Sequence, residues 1–383
     1  MQPMVYILDP TLNDPLSKVR GVGRYLQILK ENLPQNTIFT DNIRQVSADS
    51  VFINPFYNFL QKPLTLMRFA KKQIAVIHDL IPLKYPEHFP VGIKGKINIF
   101  LNKLALKNYD LIITDSEASK KDINNILYID KEKIKVIYPC LPKIFSIDSR
   151  FPTSSFGLRG TSRGNDSEVM KQFNNITIPS QFCLYVGDAT WNKNLVNLAK
   201  AIKLINVTCV FVGKVFEILK QVQDDKNGRT SEVKEERSDG KTSEVKFDNV
   251  WQKELNEFIK ETKGDKRFIF LGYVPDNKLI QLYRQARCNV LVSRDEGFGF
   301  SYLEAASQSC PSVLSDIQVL HETSSNQGAL FANPNNPNKI ANAIGEVYFN
   351  KDVRNKLGFK AQERAKYFSK NKFANSFLKI INF

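Results

Sequence analysis

Long hydrophobic runs are missing from this 383-residue chain. The longest apolar stretches, Ile74-Ala75-Val76-Ile77 and Leu111-Ile112-Ile113 among them, are strand-sized and far short of the ~20 residues that cross a bilayer as a helix. No transmembrane helix is therefore expected. The N-terminus enters the apolar stretch Val5-Tyr6-Ile7-Leu8 directly, without the basic region, apolar segment and small-residue cleavage site of a secretion signal. Cysteine is sparse: Cys140, Cys183, Cys209, Cys288 and Cys310 make an odd number with no CxxC pair, and four of them lie in or beside apolar strands. They read as reduced core thiols, which points to the cytoplasm. Helix-turn-helix, zinc and RNP-type signatures are also absent, so no nucleic-acid partner is expected despite the basic charge.

What is present is an ordinary globular composition, 42% hydrophobic and 24% charged, which excludes a chain dominated by disorder. The length suits two domains. The formal charge of +15 fits a polyanionic partner: nucleic acid, an anionic membrane surface or a phosphate-bearing substrate. Short β-branched or aromatic runs alternate with helix-compatible stretches, at 5–9, 37–41, 51–54, 74–79, 111–115 and 134–138. A second series follows at 182–187, 209–213, 268–272, 288–293, 312–315 and 329–332. The alternation predicts βα units and two parallel α/β domains in tandem, 1–142 and 181–366, joined by a linker at 143–180. Two polar segments, 153–175 and 221–246, interrupt the pattern. The second repeats Thr230-Ser231-Glu232-Val233-Lys234 as Thr242-Ser243-Glu244-Val245-Lys246, and both read as surface insertions. Deleting 221–246 is expected to leave folding and turnover nearly intact.

In open α/β sheets ligands sit beyond the carboxyl ends of the strands, and the most informative stretch lies there. Asp295-Glu296-Gly297-Phe298-Gly299-Phe300-Ser301-Tyr302-Leu303-Glu304 directly follows the run Val290-Leu291-Val292-Ser293. Gly297 and Gly299 let backbone approach a ligand, and a helix starting near Ser301 presents free N–H groups and its positive dipole end to a phosphate or sugar. Glu296, in the loop, can accept from sugar hydroxyls, and Glu304 from ribose hydroxyls. Ser301-Tyr302-Leu303-Glu304 also matches the capping box, in which Glu304 closes its own helix. A second strand, loop and helix start runs Leu184-Tyr185-Val186-Gly187-Asp188-Ala189-Thr190-Trp191-Asn192-Lys193-Asn194. In the N-terminal half, Gly21-Val22-Gly23-Arg24 opens a helix after the first strand, and His78-Asp79-Leu80-Ile81-Pro82 ends another strand.

The string Glu-Gly-Phe-Gly-Phe-x-x-Leu-Glu-Ala at 296–305, with Ser309-Cys310-Pro311-Ser312-Val313 and Leu320-His321-Glu322 after it, resembles the family 4 retaining glycosyltransferases. Their two glutamates are separated by seven residues, as Glu296 and Glu304 are. The resemblance implies the α/β GT-B fold, two Rossmann-like domains facing across a cleft, with the last helix, 367–383, joined to the first domain. It implies a catalytic set of Glu296 on the sugar, Lys193 on the donor diphosphate and His78 near the transferred sugar or acceptor. Donor contacts are implied for Gly21, Gly23, Arg24, Gly187, Asp188, Asn192, Gly297, Phe298, Gly299, Phe300, Ser301 and Glu304. The chain departs from the family at Asp188, where an arginine is usual, at Ser301, where a proline is usual, and at Ser309, where a glycine is usual.

By the same resemblance the reaction is transfer of a hexose from a nucleotide-diphosphate sugar, with retention and without a covalent nucleophile. The acceptor is a glycan or lipid-linked molecule in surface polysaccharide synthesis. Mannose is favoured by the His-Asp-x-x-Pro element at 78–82 alone. No metal-ligating cluster stands out in the sequence, no cofactor is called for, and metal-independent turnover is expected. A nucleotide-sugar epimerase, a catalytically silent sugar-binding protein of the same fold and a basic nucleic-acid-binding protein are the competing readings. Lys94, Lys96, Lys103 and Lys107 share a helical stretch with Ile97, Phe100, Leu101 and Leu104. That pattern suits peripheral contact with the anionic inner face of a membrane, and equally an ordinary surface helix.

Overall fold

The computed structural model describes residues 4–12, 21–146, 172–173, 176–217, 219, 234–236, 242–244 and 253–381. The polar segments 153–175 and 221–246 lie outside the described residues, apart from strand pairings they take part in: Gln172–Phe173 with Ile176–Thr177, and Lys234–Glu236 with Thr242–Glu244.

The chain divides into two units. The first comprises Met1–Lys143, Glu296–Phe298 and Tyr367–Phe383, the second Ile144–Asp295 and Gly299–Lys366. In the first unit β1 (Val5–Leu8), β2 (Thr37–Thr40), β3 (Val51–Asn54), β4 (Lys72–Val76), β5 (Leu111–Thr114) and β6 (Ile134–Val136) form one sheet in the order β2-β1-β3-β4-β5-β6. Every pairing is parallel. Such a sheet is covered on both faces, and β1 and β3 are buried at all four positions. The helix Gly21–Asn32 turns Tyr25, Leu26, Ile28 and Leu29 inward. The last helix, Lys370–Ile381, buries Phe373, Phe377 and Ile381. Phe373 meets the edge of Tyr25 at 6.3 Å, and Ile380 O accepts from Lys72 Nζ at 2.5 Å.

Numbering the short strands Gln172–Phe173 and Ile176–Thr177 as β7 and β8, the second unit begins its sheet with β9 (Cys183–Val186) and β10 (Cys209–Val212). After Lys234–Glu236 and Thr242–Glu244, β11 and β12, come β13 (Phe268–Gly272), β14 (Cys288–Leu291), β15 (Ser312–Ser315) and β16 (Ala329–Ala332). The order is β13-β10-β9-β14-β15-β16, again all parallel. Its core gathers Phe211, Phe216, Phe258, Phe268 and Phe270, with Phe216 stacked on Phe270 at 5.7 Å. All five cysteines are buried free thiols, as their apolar neighbours in sequence implied.

The twelve strands expected from sequence are all present. β4 starts two residues early, at Lys72, because pairing with β3 recruits Lys72 and Gln73, polar residues that no hydrophobic period marks. Among the described residues no helix is long and apolar enough to cross a membrane.

Counted within each unit, the orders are 2-1-3-4-5-6 and 3-2-1-4-5-6. Strand succession therefore reverses between β1 and β3 in the first unit and between β9 and β14 in the second, the points where doubly wound sheets open a ligand crevice.

Candidate active site

In the second unit the loops that follow β9 and β14 carry the two most informative sequence elements. The two strands pair only at Cys288↔Cys183 and Asn289↔Leu184, so hydrogen bonding stops before their carboxyl ends and the two loops leave separately. They are then tied back together. Arg294 N donates to Asn192 O at 2.7 Å, and Asn192 Nδ2 to Asp295 O at 3.1 Å. Asn194 Nδ2 donates to Val292 O at 2.8 Å and to Pro334 O at 2.7 Å.

Asn194 sits at φ 61 between the short turn Trp191–Lys193 and the helix Leu195–Ile205. That left-handed conformation is one asparagine tolerates better than most residues. Arg294 reinforces the turn by donating to Trp191 O, lying over the Trp191 ring at 5.0 Å and pairing with buried Glu254 at 3.1 Å. Lys193, half-buried, thus stands on a braced loop at a helix start. The sequence reading named Lys193 and Asn192 but not Asn194, Arg294 or Glu254. The first was legible as an asparagine before a helix; the other two act through tertiary contacts that leave no local trace.

Asp188, where the family resemblance implies an arginine, is exposed. Its Oδ1 accepts from Ala189 N at 2.8 Å and its carbonyl from Tyr185 Oη at 2.6 Å. It therefore shapes its own turn. Gly187 is fixed by the same tyrosine, since a Cβ there would come within 2.8 Å of Tyr185 Oη.

The helix after the glycine loop runs Phe300–Ser307, with Gly299 as N-cap at φ 93 and no side-chain cap. The capping-box reading of Ser301 to Glu304 is thereby corrected. Helix formation begins before Ser301, so Glu304 sits deeper than the third helical position that such a box requires. Glu304 is instead buried, at 5% exposure, and its Oε2 accepts from Tyr283 Oη at 2.9 Å. Ser301 occupies the first turn, where proline is tolerated, and its buried hydroxyl has no hydrogen-bond partner among the described residues. Phe300 is half-buried at the helix start. Gly299 is needed both for its φ and for space, because a Cβ would lie 2.8 Å from Leu320 Cδ2. Ser309 adopts φ 58 just beyond this helix, a left-handed conformation that glycine takes with the least strain.

In the first unit Glu296, Gly297 and Phe298 group with the carboxyl ends of β4 and β5. Gly297 O accepts from Ser116 Oγ at 2.8 Å and from Ser119 Oγ at 3.2 Å. A Cβ on Gly297 would meet His78 O at 2.9 Å, so close packing alone requires this glycine, whatever it offers a ligand. Phe298 is buried with its ring at the edge of Phe368, 5.5 Å away. Half-buried Glu296 leads this anchored loop.

His78, just past β4, has both ring nitrogens committed. Nδ1 lies 2.5 Å from Asp115 Oδ2 and Nε2 lies 2.9 Å from Pro55 O. A carbonyl and a carboxylate both accept, so the arrangement suits the doubly protonated ring. Burial alone would lower the pKa of His78, but the charge of Asp115, its hydrogen bond, the Pro55 carbonyl and Asp79 outweigh it and raise the pKa above the ordinary histidine value. Tyr25 meets the ring edge-on at 4.6 Å and Phe56 lies tilted at 5.0 Å. Asp115, which the sequence reading took only as a strand end, is the partner it missed; a carboxylate just beyond a strand was the available signal. Gly21 opens the helix Gly21–Asn32, with Gly23 and half-buried Arg24 in its first turn. A Cβ on Gly21 would meet nothing within 4 Å.

The family model of the glycosyl transferases group 1 matches residues 166–364. The O-antigen chain mannosyltransferase RfbU of Salmonella typhimurium is 25% identical over 283 residues, an alignment covering 72% of this chain and 61% of RfbU. The O-antigen chain mannosyltransferase B of Escherichia coli is 44% identical over 72 residues, 19% of each chain. The match therefore spans less than two thirds of the length of either curated relative. Anabaena HepE, solved in complex with UDP-glucose, superposes with a TM-score of 0.64 at 16% identity and covers 98% of both chains. A glycosyltransferase from Rickettsia africae gives 0.61 at 15% identity, covering 99% of this chain and 98% of the other. At these identities the structural likeness bears on fold alone: two Rossmann-like α/β units of the GT-B kind.

Proposed function

The chain belongs to the glycosyl transferases group 1, and on that premise we propose that it moves a hexose from a nucleotide-diphosphate sugar, with retention, to a glycan or lipid-linked acceptor of surface polysaccharide synthesis. Mannose from GDP-mannose is the favoured donor, a reading supported by the two O-antigen mannosyltransferases among its relatives. That HepE was solved with UDP-glucose supports a nucleotide sugar as the donor class.

The observation that carries the reading is the pair of braced loops beyond β9 and β14, the strands flanking the reversal of order. Lys193 and the N-terminus of the helix Phe300–Ser307 supply positive charge and free N–H groups for a departing diphosphate, whose charge grows as the glycosidic bond breaks. The Ser301 hydroxyl, buried without a partner among the described residues, suits a donor oxygen. In this reading Glu304, whose Oε2 accepts from Tyr283 Oη, accepts from ribose hydroxyls and Glu296 accepts from the sugar. His78 has neither nitrogen spare to take up a proton, so its part is that of a fixed cation and not of an acid–base group. The donor phosphate itself takes the acceptor proton.

A panel of nucleotide sugars tests the donor by protection against thermal unfolding, with GDP-mannose expected to raise the midpoint most. Glu296→Ala is expected to lower turnover by about 10²–10³, the usual cost of one well-aimed polar group, while keeping the donor's thermal protection. Absence of protection by every nucleotide sugar, or full turnover in Glu296→Ala, would sink the proposal.

A further inference from the structure

The helix Gly92–Ala105 is built inside out. An ordinary surface helix turns its apolar stripe to the core, whereas here the fully buried residues are Gly95, Asn102 and Ala105, and of the large apolar side chains only half-buried Ile99 packs on the core. Asn98 Nδ2 donates to Leu60 O at 2.9 Å, and Asn102 Nδ2 to Gln61 O at 2.7 Å and Phe59 O at 3.3 Å. The apolar residues Ile93, Ile97, Phe100 and Leu104, spaced along one side of the helix, all face solvent, with Ile93 80% and Phe100 61% exposed.

The loop those asparagines hold adds Leu64, Leu66 and Met67, the last 74% exposed, and Asn108 Nδ2 clasps Leu66 O at 2.9 Å. Seven of the sixteen exposed large hydrophobics among the described residues thus fall on these two segments, a concentration that marks an interaction surface and not random scatter.

Charge identifies the occupant. Lys94, Lys96, Lys103 and Lys107 are exposed on and just beyond the helix, and Lys62 lies in the loop. The sequence has no Asp or Glu between Asp49 and Asp79, nor between Glu87 and Asp110. In the loop, Arg68 pairs with Asp110 at 2.6 Å. An apolar stripe rimmed by lysines and free of acids matches the interface of an anionic bilayer: acyl chains for Phe100 and Ile97, phosphate headgroups for the lysines.

We propose that the helix Gly92–Ala105 and the loop 60–68 form a docking surface for an anionic lipid bilayer. The surface rests on its own geometry, so its failure and that of the glycosyl-transfer reading are read by separate experiments.

The test is co-sedimentation of the full chain with phosphatidylglycerol–phosphatidylcholine vesicles against phosphatidylcholine alone, at low and high salt. Binding is expected on the anionic vesicles only, weakening with salt. Phe100→Asp should lower the partition at least about tenfold, since a large apolar group is lost from the interface. Lys96→Gln should lower it roughly fivefold, the worth of one lysine near such headgroups. Both variants should keep the wild-type unfolding midpoint, because the side chains are exposed. No binding to anionic vesicles, or binding that Phe100→Asp leaves unchanged, overturns the proposal. So does a wild-type dimer that Phe100→Asp splits into monomers, which would make a second copy the occupant.

Discussion

Replacing His78 by alanine should cost far more stability than its hydrogen bond is worth. The ring and Asp115 form a charge-assisted pair at 2.5 Å, with the aspartate side chain 3% exposed and the histidine 24%. The pair itself is worth about 1.5–3 kcal/mol. Asp115 Oδ1 has no hydrogen-bond partner among the described residues, so in His78→Ala neither oxygen keeps a described partner and a buried charge stands alone. Breaking such a pair from one side costs about 3–5 kcal/mol, a large share of the ~5–15 kcal/mol that holds an ordinary domain together.

Asp115→Ala in the same chain removes the stranded charge. The double variant should therefore be more stable than the sum of the singles predicts, with a coupling of about 1.5–3 kcal/mol. A chain of two units need not unfold in one step. Amide hydrogen exchange across β4 and β5, for example at Ile77 N, which donates to Ile113 O, reads the affected unit directly.

Acidity adds a second check. The folded pKa of His78 is raised, so the pair's stabilisation is fully present below the unfolded value of about 6.5 and is lost as pH rises through the folded value. The His78→Ala deficit must shrink on going to alkaline pH. A deficit below about 1 kcal/mol, a coupling near zero or a deficit that grows with pH would refute the account.

Ser309→Gly should stabilise the second unit by up to about 1 kcal/mol, because it relieves a left-handed serine at φ 58; an unchanged or lower unfolding midpoint would contradict this. Gly299→Ala combines φ 93 with a Cβ 2.8 Å from Leu320 Cδ2 and should cost about 1–3 kcal/mol, together with donor protection in thermal unfolding. Tyr283→Phe removes the hydroxyl that donates to Glu304 Oε2 and should raise the donor KM several-fold with little change in kcat, as steady-state kinetics would show. Turnover should persist in EDTA; complete loss, restored by added divalent cation, would remove the metal-independent reading.

The twelve strands were legible because each is a short β-branched or aromatic run bounded by polar residues, and parallel burial on both faces needs nothing subtler. The loops were legible only as motifs. Ser116 and Gly297 lie 181 residues apart in the chain, and no local pattern announces that a helix-capping serine also holds a distant glycine carbonyl. Glu304 illustrates the opposite failure. Its local signature, S-x-x-E, pointed to a cap, but Gly299 starts the helix first and Tyr283 claims the carboxylate. The Gly92–Ala105 helix was visible as basic and amphipathic, yet which face turned outward depended on Asn98 and Asn102 finding carbonyls in a loop more than 35 residues earlier.

Residues 296–298 belong to the first unit although the chain on both sides of them belongs to the second. Recombination between relatives must respect this. A chimera that joins the N-terminal half of one enzyme to the C-terminal half of another at a single junction near 143 would import a foreign tripeptide against the native His78-Asp79 turn and the Ser116 and Ser119 hydroxyls. Exchange of halves should succeed only where the tripeptide travels with the residues that receive it, so this short segment, and not the linker, sets where family members can trade their N-terminal and C-terminal halves.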